Sequence, residues 1–262
     1  MTLNGRKEKT LMSEIMPHLK LSKEQAAPFA LLPGDPKRLD RIAPYLEDVR
    51  ELAFNREFRS LKGSFRGVEV MAVSTGIGGA SAAIAVEELH RIGVRAMIRI
   101  GSCGALKKGI SLGDLIIASG AVRNDGTSSS YVDSAYPAVP DPQLFMALME
   151  SARESGVPCH AGIIRSHDSF YIDEEKEICE YWSKKGVLGS DMETAALFVT
   201  GGLRGVKTAS ILNTVVQYEE SLEENINLYT GGESAMMRGE QAEILTALQA
   251  FVRISQNQEG RI

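Results

Sequence analysis

The chain of 262 residues has few cysteines, no excess of positive charge and no long apolar run. Its three cysteines, Cys103, Cys159 and Cys179, form no CxxC pair, so the sequence offers no zinc framework. A formal net charge of -5 weighs against nucleic acid as a main partner, although a mildly acidic protein can still hold a basic pocket. No apolar stretch is long enough to span a bilayer, and Met1 to Lys20 is polar, without the apolar core of a signal peptide. A cytoplasmic protein with no membrane partner is the expectation. Low-complexity linkers and internal repeats are also missing. The length suits one α/β domain or two small ones, with a core that needs no disulfide or metal. Residues up to about Glu14 are expected to be mobile.

What is present is a strand, glycine turn, helix, strand, glycine turn unit. Gly67 to Ser74 reads as a strand ending at Gly76-Ile77-Gly78-Gly79, and a helix follows over Ala80 to Ile92. The next strand, Ala96 to Ile100, carries Arg99 into Gly101-Ser102, read as a second turn. Further strands are expected at Phe29 to Leu32, Asp114 to Ser119, His160 to Ser166 and Lys207 to Val215. Further helices are expected at Lys37 to Ala43, Asp141 to Gly156, Glu174 to Lys185, Met192 to Gly201 and Glu233 to Ile254, with a long loop over Asn124 to Ala138. Alternating strands and helices predict an α/β sandwich around a mostly parallel or mixed sheet. Ligands in such sheets sit beyond the carboxyl ends of the strands, which gathers Gly34, Ser74, Ser102, Ser166 and Thr214 at one edge.

That edge is rich in anion-binding chemistry. Arg99 beside a glycine-rich segment combines backbone N–H donors with a planar cationic fork, which fits a small anion such as phosphate. The alternative for Arg99 is a structural ion pair. Gly34-Asp35-Pro36-Lys37-Arg38 puts an arginine in the first turn of a helix, where N–H groups and the dipole attract anions. Arg56 precedes a strand, and alone either Arg38 or Arg56 reads as a solvated charge. In Ser190-Asp191-Met192-Glu193 the bland reading is a helix cap. Glu193 heads so apolar a helix that its carboxylate must lie near the interior, where two adjacent sugar hydroxyls would satisfy it. His18 alone reads as surface, Cys103 as a small residue in a tight place, and Phe170 as either core or a platform for a base.

Gly34-Asp35-Pro36-x-Arg38, Arg56-Glu57-Phe58, Ser74 to Gly79, Ile84 to Leu89, Arg99-Ile100-Gly101 and Met192-Glu193 together resemble the uridine phosphorylase family, part of the wider nucleoside phosphorylase group. The resemblance runs from about His18 to the C-terminal helix. Val122 to Gly126 and Tyr136 to Val139 favour the uridine branch, whereas Gly101 to Ala105 is closer to the bacterial purine branch. It implies a three-layer α-β-α sandwich with a central mixed sheet, as one domain over residues 1–262. It implies that Gly34, Arg38, Arg99 and Ser102 hold phosphate, with Arg56 reaching the phosphate of a neighbouring subunit. His18 would cross the dimer interface to the ribose 5′-hydroxyl, Glu193 would grip the 2′- and 3′-hydroxyls, and Met192 would pack on the sugar. Phe170 would lie beside the base. Glu57, Ile77 and Ser81 match a site where some members hold a monovalent cation, such as potassium, between subunits. No other cofactor is implied, inorganic phosphate being the co-substrate. The partners implied are nucleoside and phosphate, with a homodimer as the minimum active unit and a homohexamer as the family's assembly.

The base site departs from the family. Glu174 and Lys176 stand where the uridine branch has Gln and Arg, and Thr214 replaces a second arginine near the leaving base. A carboxylate only accepts hydrogen bonds, and lysine cannot copy a guanidinium fork. Glu174 either reads a base with two adjacent N–H donors, such as the guanine N1/N2 edge, or points to solvent. Asp191 stands where the family usually has Glu. The resemblance implies reversible phosphorolysis of a ribonucleoside to free base and ribose 1-phosphate, with Arg99 and Glu193 at the reacting centre and Lys176 as candidate donor to the leaving base. A purine nucleoside phosphorylase, a hydrolytic nucleosidase and a nucleoside-binding protein with little turnover are the rival readings.

Overall fold

The computed structural model describes residues 15–259, apart from 221, 231 and 233. The segment expected to be mobile, and Glu233 as the start of the last helix, lie outside the described residues. In chain order the strands are β1 (Phe29–Pro33), β2 (Glu47–Asn55), β3 (Phe58–Phe65), β4 (Val68–Val73), β5 (Ala96–Ala105), β6 (Leu115–Asn124), β7 (Cys159–His167), β8 (Gly189–Asp191) and β9 (Lys207–Val216). The helices are α1 (Arg38–Ile42), α2 (Gly79–Ile92), α3 (Gly126–Tyr131), α4 (Pro142–Ala152), α5 (Glu175–Lys184), α6 (Thr194–Leu203), α7 (Leu222–Thr230) and α8 (Ser234–Glu259).

The strands form one mixed sheet in the order β2-β3-β4-β1-β5-β8-β7-β6-β9, and β9 also pairs with β5. Strands β5, β8, β7, β6 and β9 therefore close into a ring. Strand β5 is its hinge: its first half pairs with β1, its last residues with β8, and β9 runs parallel along nearly all of it. Alternation along the buried strands feeds two cores. Ala30, Leu32 and Met97 face Val86, Leu89 and Phe198 of α2 and α6. Phe29, Leu31, Ile98 and Ile100 face Leu39, Leu148, Leu248 and Phe251 of α1, α4 and α8, with the Phe29 and Phe251 rings stacked at 5.0 Å. Burial on both faces explains why these strands are apolar runs rather than half-polar ones. Helices thus cover both sides of a mixed sheet, as the fold class expected.

Several local expectations need correction. Gly101-Ser102 is no turn: β5 continues through it to Ala105, because Ser102 and Cys103 stay in register with Asn213 and Thr214 of β9. The segment Asn124 to Ala138 is no plain loop. It holds α3, capped by the Asp125 carboxylate on the Ser128 N–H, and the Arg123 guanidinium donates to four backbone carbonyls there. Helix α6 starts at Thr194 rather than Met192, with the Thr194 N–H donating to Asp191. The β2–β3 hairpin, β8 and α7 were not anticipated.

Candidate phosphate and sugar site

The carboxyl ends of β1 and β8 and the start of α2 converge on Arg99, which lies within β5, six residues before its end. Its Nε donates to Asp191 Oδ2 at 2.9 Å, and its Nη2 lies 2.6 Å from Glu193 Oε2. The guanidinium folds over Gly101, where a Cβ would stand 2.5 Å from Nη2, so only glycine fits beneath it. Asp191 is fixed in turn by the Ser166 hydroxyl at 2.6 Å and by the Thr194 hydroxyl and N–H. Glu193 is buried and accepts from the Gly78 N–H at 2.6 Å and the Met192 N–H at 3.2 Å. Gly78 takes φ 93°, opens α2, and aims its N–H at the carboxylate. Burial pushes the Glu193 carboxyl up, and Arg99 pulls it partly back. Burial opposes the Arg99 charge, and Glu193 and Asp191 outweigh it.

Arg38, the first residue of α1, is also buried. Its Nη1 donates to the Ile100 carbonyl at 3.1 Å and to Glu243 Oε1 at 3.2 Å, its Nη2 to the Tyr229 hydroxyl at 2.5 Å, and its Nε lies 3.1 Å from Glu240 Oε2. The solvated-charge alternative for Arg38 is therefore wrong, since a solvated guanidinium would not be enclosed by two carboxylates. Gly34 follows β1 and accepts from the Gly76 N–H at 3.0 Å, which ties the two glycine turns together. Ser102 is half-buried on β5, one residue beyond the glycine under Arg99.

Other site candidates sit on the rim. Arg56 is exposed at φ 56° in the two-residue turn of the β2–β3 hairpin. His18 Nδ1 lies 2.6 Å from Glu88 Oε1, with its ring edge-on to Phe58. The buried Glu88 also takes the His18 and Leu19 N–H groups, so His18 is anchored rather than loose surface. The Ser81 hydroxyl donates to Glu57 Oε1 at 2.6 Å and is the first cause holding that carboxyl below its usual range. Ile77 beside them is 80% exposed.

The base-site candidates are less gathered. Phe170 is half-buried and edge-on to exposed Tyr171 at 5.0 Å. Glu174 and Lys176 are exposed at the start of α5. Glu175 between them turns inward to the buried Arg165, 3.0 Å away. Thr214 is buried with its hydroxyl 3.9 Å from Cys103 Sγ. Burial pushes the Cys103 thiol up to about 12, which supports the small-residue reading over reactivity. Met192 is half-buried beside Glu193.

Sequence reasoning missed Glu88, Glu240, Glu243, Tyr229 and the Arg165–Glu175 pair. A signal existed for the acids. Met236, Glu240, Glu243 and Ala247 fall at helical spacing on one buried face of α8, where a carboxylate needs a partner.

A family model described as the phosphorylase superfamily matches residues 28–229. A uridine phosphorylase of Thermococcus kodakarensis is 40% identical over 206 residues, 74% of this chain and 74% of that protein. A guanosine phosphorylase of Halorubrum lacusprofundi is 40% identical over 195 residues, 74% of this chain and 80% of that protein. The crystal structure of a uridine phosphorylase from Vibrio fischeri ES114, complexed with 6-hydroxy-1-naphthoic acid, superposes with a TM-score of 0.86 at 45% identity, covering 92% of this chain and 98% of that one.

Proposed function

The chain belongs to the phosphorylase superfamily, and from that premise we propose that it is a nucleoside phosphorylase of the uridine phosphorylase kind. It cleaves a ribonucleoside with inorganic phosphate to free base and ribose 1-phosphate, a pentosyl transfer. The supporting observation is the 2.6 Å contact between Arg99 and Glu193. It sets an anion-holding cation directly against a carboxylate suited to a sugar diol, the pairing that a phosphate attacking an anomeric carbon needs.

In this reading Arg38, Arg99, Ser102 and the Gly34 turn hold the phosphate, and Arg56 of a neighbouring copy completes the clamp. A phosphate oxygen forms a bond to the anomeric carbon as the glycosidic C–N bond breaks. The base departs with the electron pair and needs a proton or a stabilising donor, for which Lys176 is the candidate. The sugar gains oxocarbenium character, stabilised by the phosphate charge beside it. Glu193 fixes the ring hydroxyls, with Met192 packed on the sugar, and His18 crosses to a neighbouring 5′-hydroxyl. Positioning of this kind supplies much of the rate. Phe170 stacks beside the base, with Glu174, Lys176 and Thr214 around its edge. The exposed turn holding Arg56 and the anchored His18 suit a shared site, so a dimer is the minimum unit and a hexamer the expected assembly. Glu57, kept ionised by Ser81, with Ile77 beside it, fits a monovalent cation between copies, where it would offset repulsion rather than take part in the reaction. Among the described residues no helix is long and apolar enough to cross a membrane, and a cytoplasmic setting is part of the proposal.

A purine base is the second reading. Glu174 is an acceptor where uracil calls for an amide, and the guanosine phosphorylase relative is as similar as the uridine phosphorylase relative. Base release from uridine, thymidine, cytidine, inosine, guanosine and adenosine, each with and without phosphate, tests both. Phosphate-dependent uracil release supports the first reading and guanine release the second. Cleavage without phosphate makes the protein a nucleosidase, and binding without turnover makes it a binder.

A further inference from the structure

Glu243 is a carboxylate that the mechanism above does not use, and it lies deep in the phosphate site. Its side chain is 0% exposed. Oε1 accepts from Arg38, whereas Oε2 is buried without a hydrogen-bond partner. A fully buried, unpartnered carboxylate oxygen is costly when ionised. The same oxygen carrying a proton is a donor in want of an acceptor. Around it, α1 contributes Arg38, β5 contributes Arg99, the Gly101 N–H and Cys103, α7 contributes Tyr229, and α8 contributes Glu240. Arg38, Arg99 and the Gly101 N–H favour ionisation of Glu243, whereas burial, the largest influence, and Glu240 oppose it. Arg38 already has Glu240 as a counter-charge, itself tied to Arg41 and Tyr229. A second ionised carboxylate on Arg38 would cancel the charge that a phosphate is drawn to.

Resting on the phosphorylase reading, we propose that Glu243 is a proton-holding residue of the phosphate site. Protonated, it leaves the Arg38 charge to the incoming phosphate and turns its Oε2–H to a phosphate oxygen. Ionised, it competes with phosphate for Arg38. Burial, the largest influence, pushes this carboxyl up to about 8, so both forms are reached in an ordinary assay range.

The test is phosphate binding by calorimetry at pH 7 and pH 9, in two buffers of different ionisation enthalpy, with KM for phosphate followed over the same range. Wild type is expected to take up close to one proton per phosphate at pH 9 and to lose about tenfold in phosphate affinity between pH 7 and 9. Glu243→Gln keeps a donor in place of the acid but cannot ionise, so its phosphate affinity should lose the alkaline fall. KM for nucleoside should keep the same pH profile in both proteins. Phosphate's own titration is common to both and cancels in the comparison. No proton uptake by wild type at pH 9, or an equal alkaline fall in Glu243→Gln, overturns the role of Glu243 while leaving the phosphorylase reading intact. Absence of phosphate binding by wild type at pH 7 overturns both. The wild-type proton count needs no variant, so a poorly folding substitution leaves the test decisive.

Discussion

Glu193→Gln is the substitution whose cost the structure sizes best. The amide keeps the shape of the side chain and one acceptor oxygen. It removes the charge facing Arg99 and replaces an acceptor with a donor. Glu193 has donors on both oxygens, Gly78 N–H on one and Arg99 and Met192 N–H on the other. Whichever way the amide turns, its NH2 meets a donor. Removing one partner of a buried ion pair costs about 3–5 kcal/mol. Arg99 retains Asp191 at 2.9 Å, so a stability loss just below that range, about 2–3 kcal/mol, is expected. The effect on turnover is larger in consequence, because the diol grip is lost and Arg99 is released from one of its two anchors. Loss of one electrostatic contact at a reacting centre costs about 10²–10³ in kcat, or roughly 3–4 kcal/mol. Steady-state phosphorolysis measures this, with a thermal melt confirming the fold. Activity within about threefold of wild type, in a folded protein, would refute the placement of Glu193 at the sugar.

Four further outcomes follow from the same geometry. Gly101→Ala puts a methyl 2.5 Å from Arg99 Nη2, so phosphorolysis should fall by about 10² with the larger share in KM for phosphate; an unchanged KM would separate Arg99 from phosphate. Glu88→Ala strips the acceptor from the His18 and Leu19 N–H groups and the His18 ring; urea unfolding should show a loss of about 2–3 kcal/mol, and a loss below about 1 would contradict the anchoring role. Arg56→Ala should melt like wild type, because the side chain is exposed, yet be inactive; mixed refolding with Glu193→Gln should restore part of the activity if Arg56 serves a neighbour's site, and no recovery would place it in its own. Glu243 binds its proton more tightly folded than unfolded, because burial raises it from 4.5 to about 8. Its stabilisation is therefore full below the unfolded value and lost as pH rises through the folded one, so the melting temperature of wild type relative to Glu243→Gln should fall between about pH 5 and pH 8.5; a constant difference would refute the raised value.

Much of the scaffold was legible because both faces of its central strands are buried. Phe29 to Leu32 and Ala96 to Ile100 are apolar runs, and Gly78 and Gly93 bracket α2 with the positive φ that glycine supplies. The β2–β3 hairpin was not legible, because Glu47 to Arg50 is exposed and charged and Arg56 rather than glycine makes its turn. Gly101-Ser102 misled for a related reason. Glycine is needed there for the close approach of Arg99, not for a turn. Arg38, Arg99 and Glu193 stood out as charges beside glycine turns or apolar helices. Their partners did not, because Glu240 and Glu243 reach Arg38 across about two hundred residues, and one-dimensional spacing cannot show that. At the base edge, Glu174 and Lys176 are exposed and the inward carboxylate is Glu175. Helix phase at the start of α5 decides this, and residue type alone cannot.

Phosphorus-31 NMR of the protein incubated with uridine, guanosine and inorganic phosphate tests the central claim most directly. Phosphorolysis predicts that the phosphate signal declines as a sugar-phosphate signal grows in equal amount, with free base released in step. Base release with the phosphate signal unchanged would show water as the nucleophile, and would contradict the role given to Arg38 and Arg99.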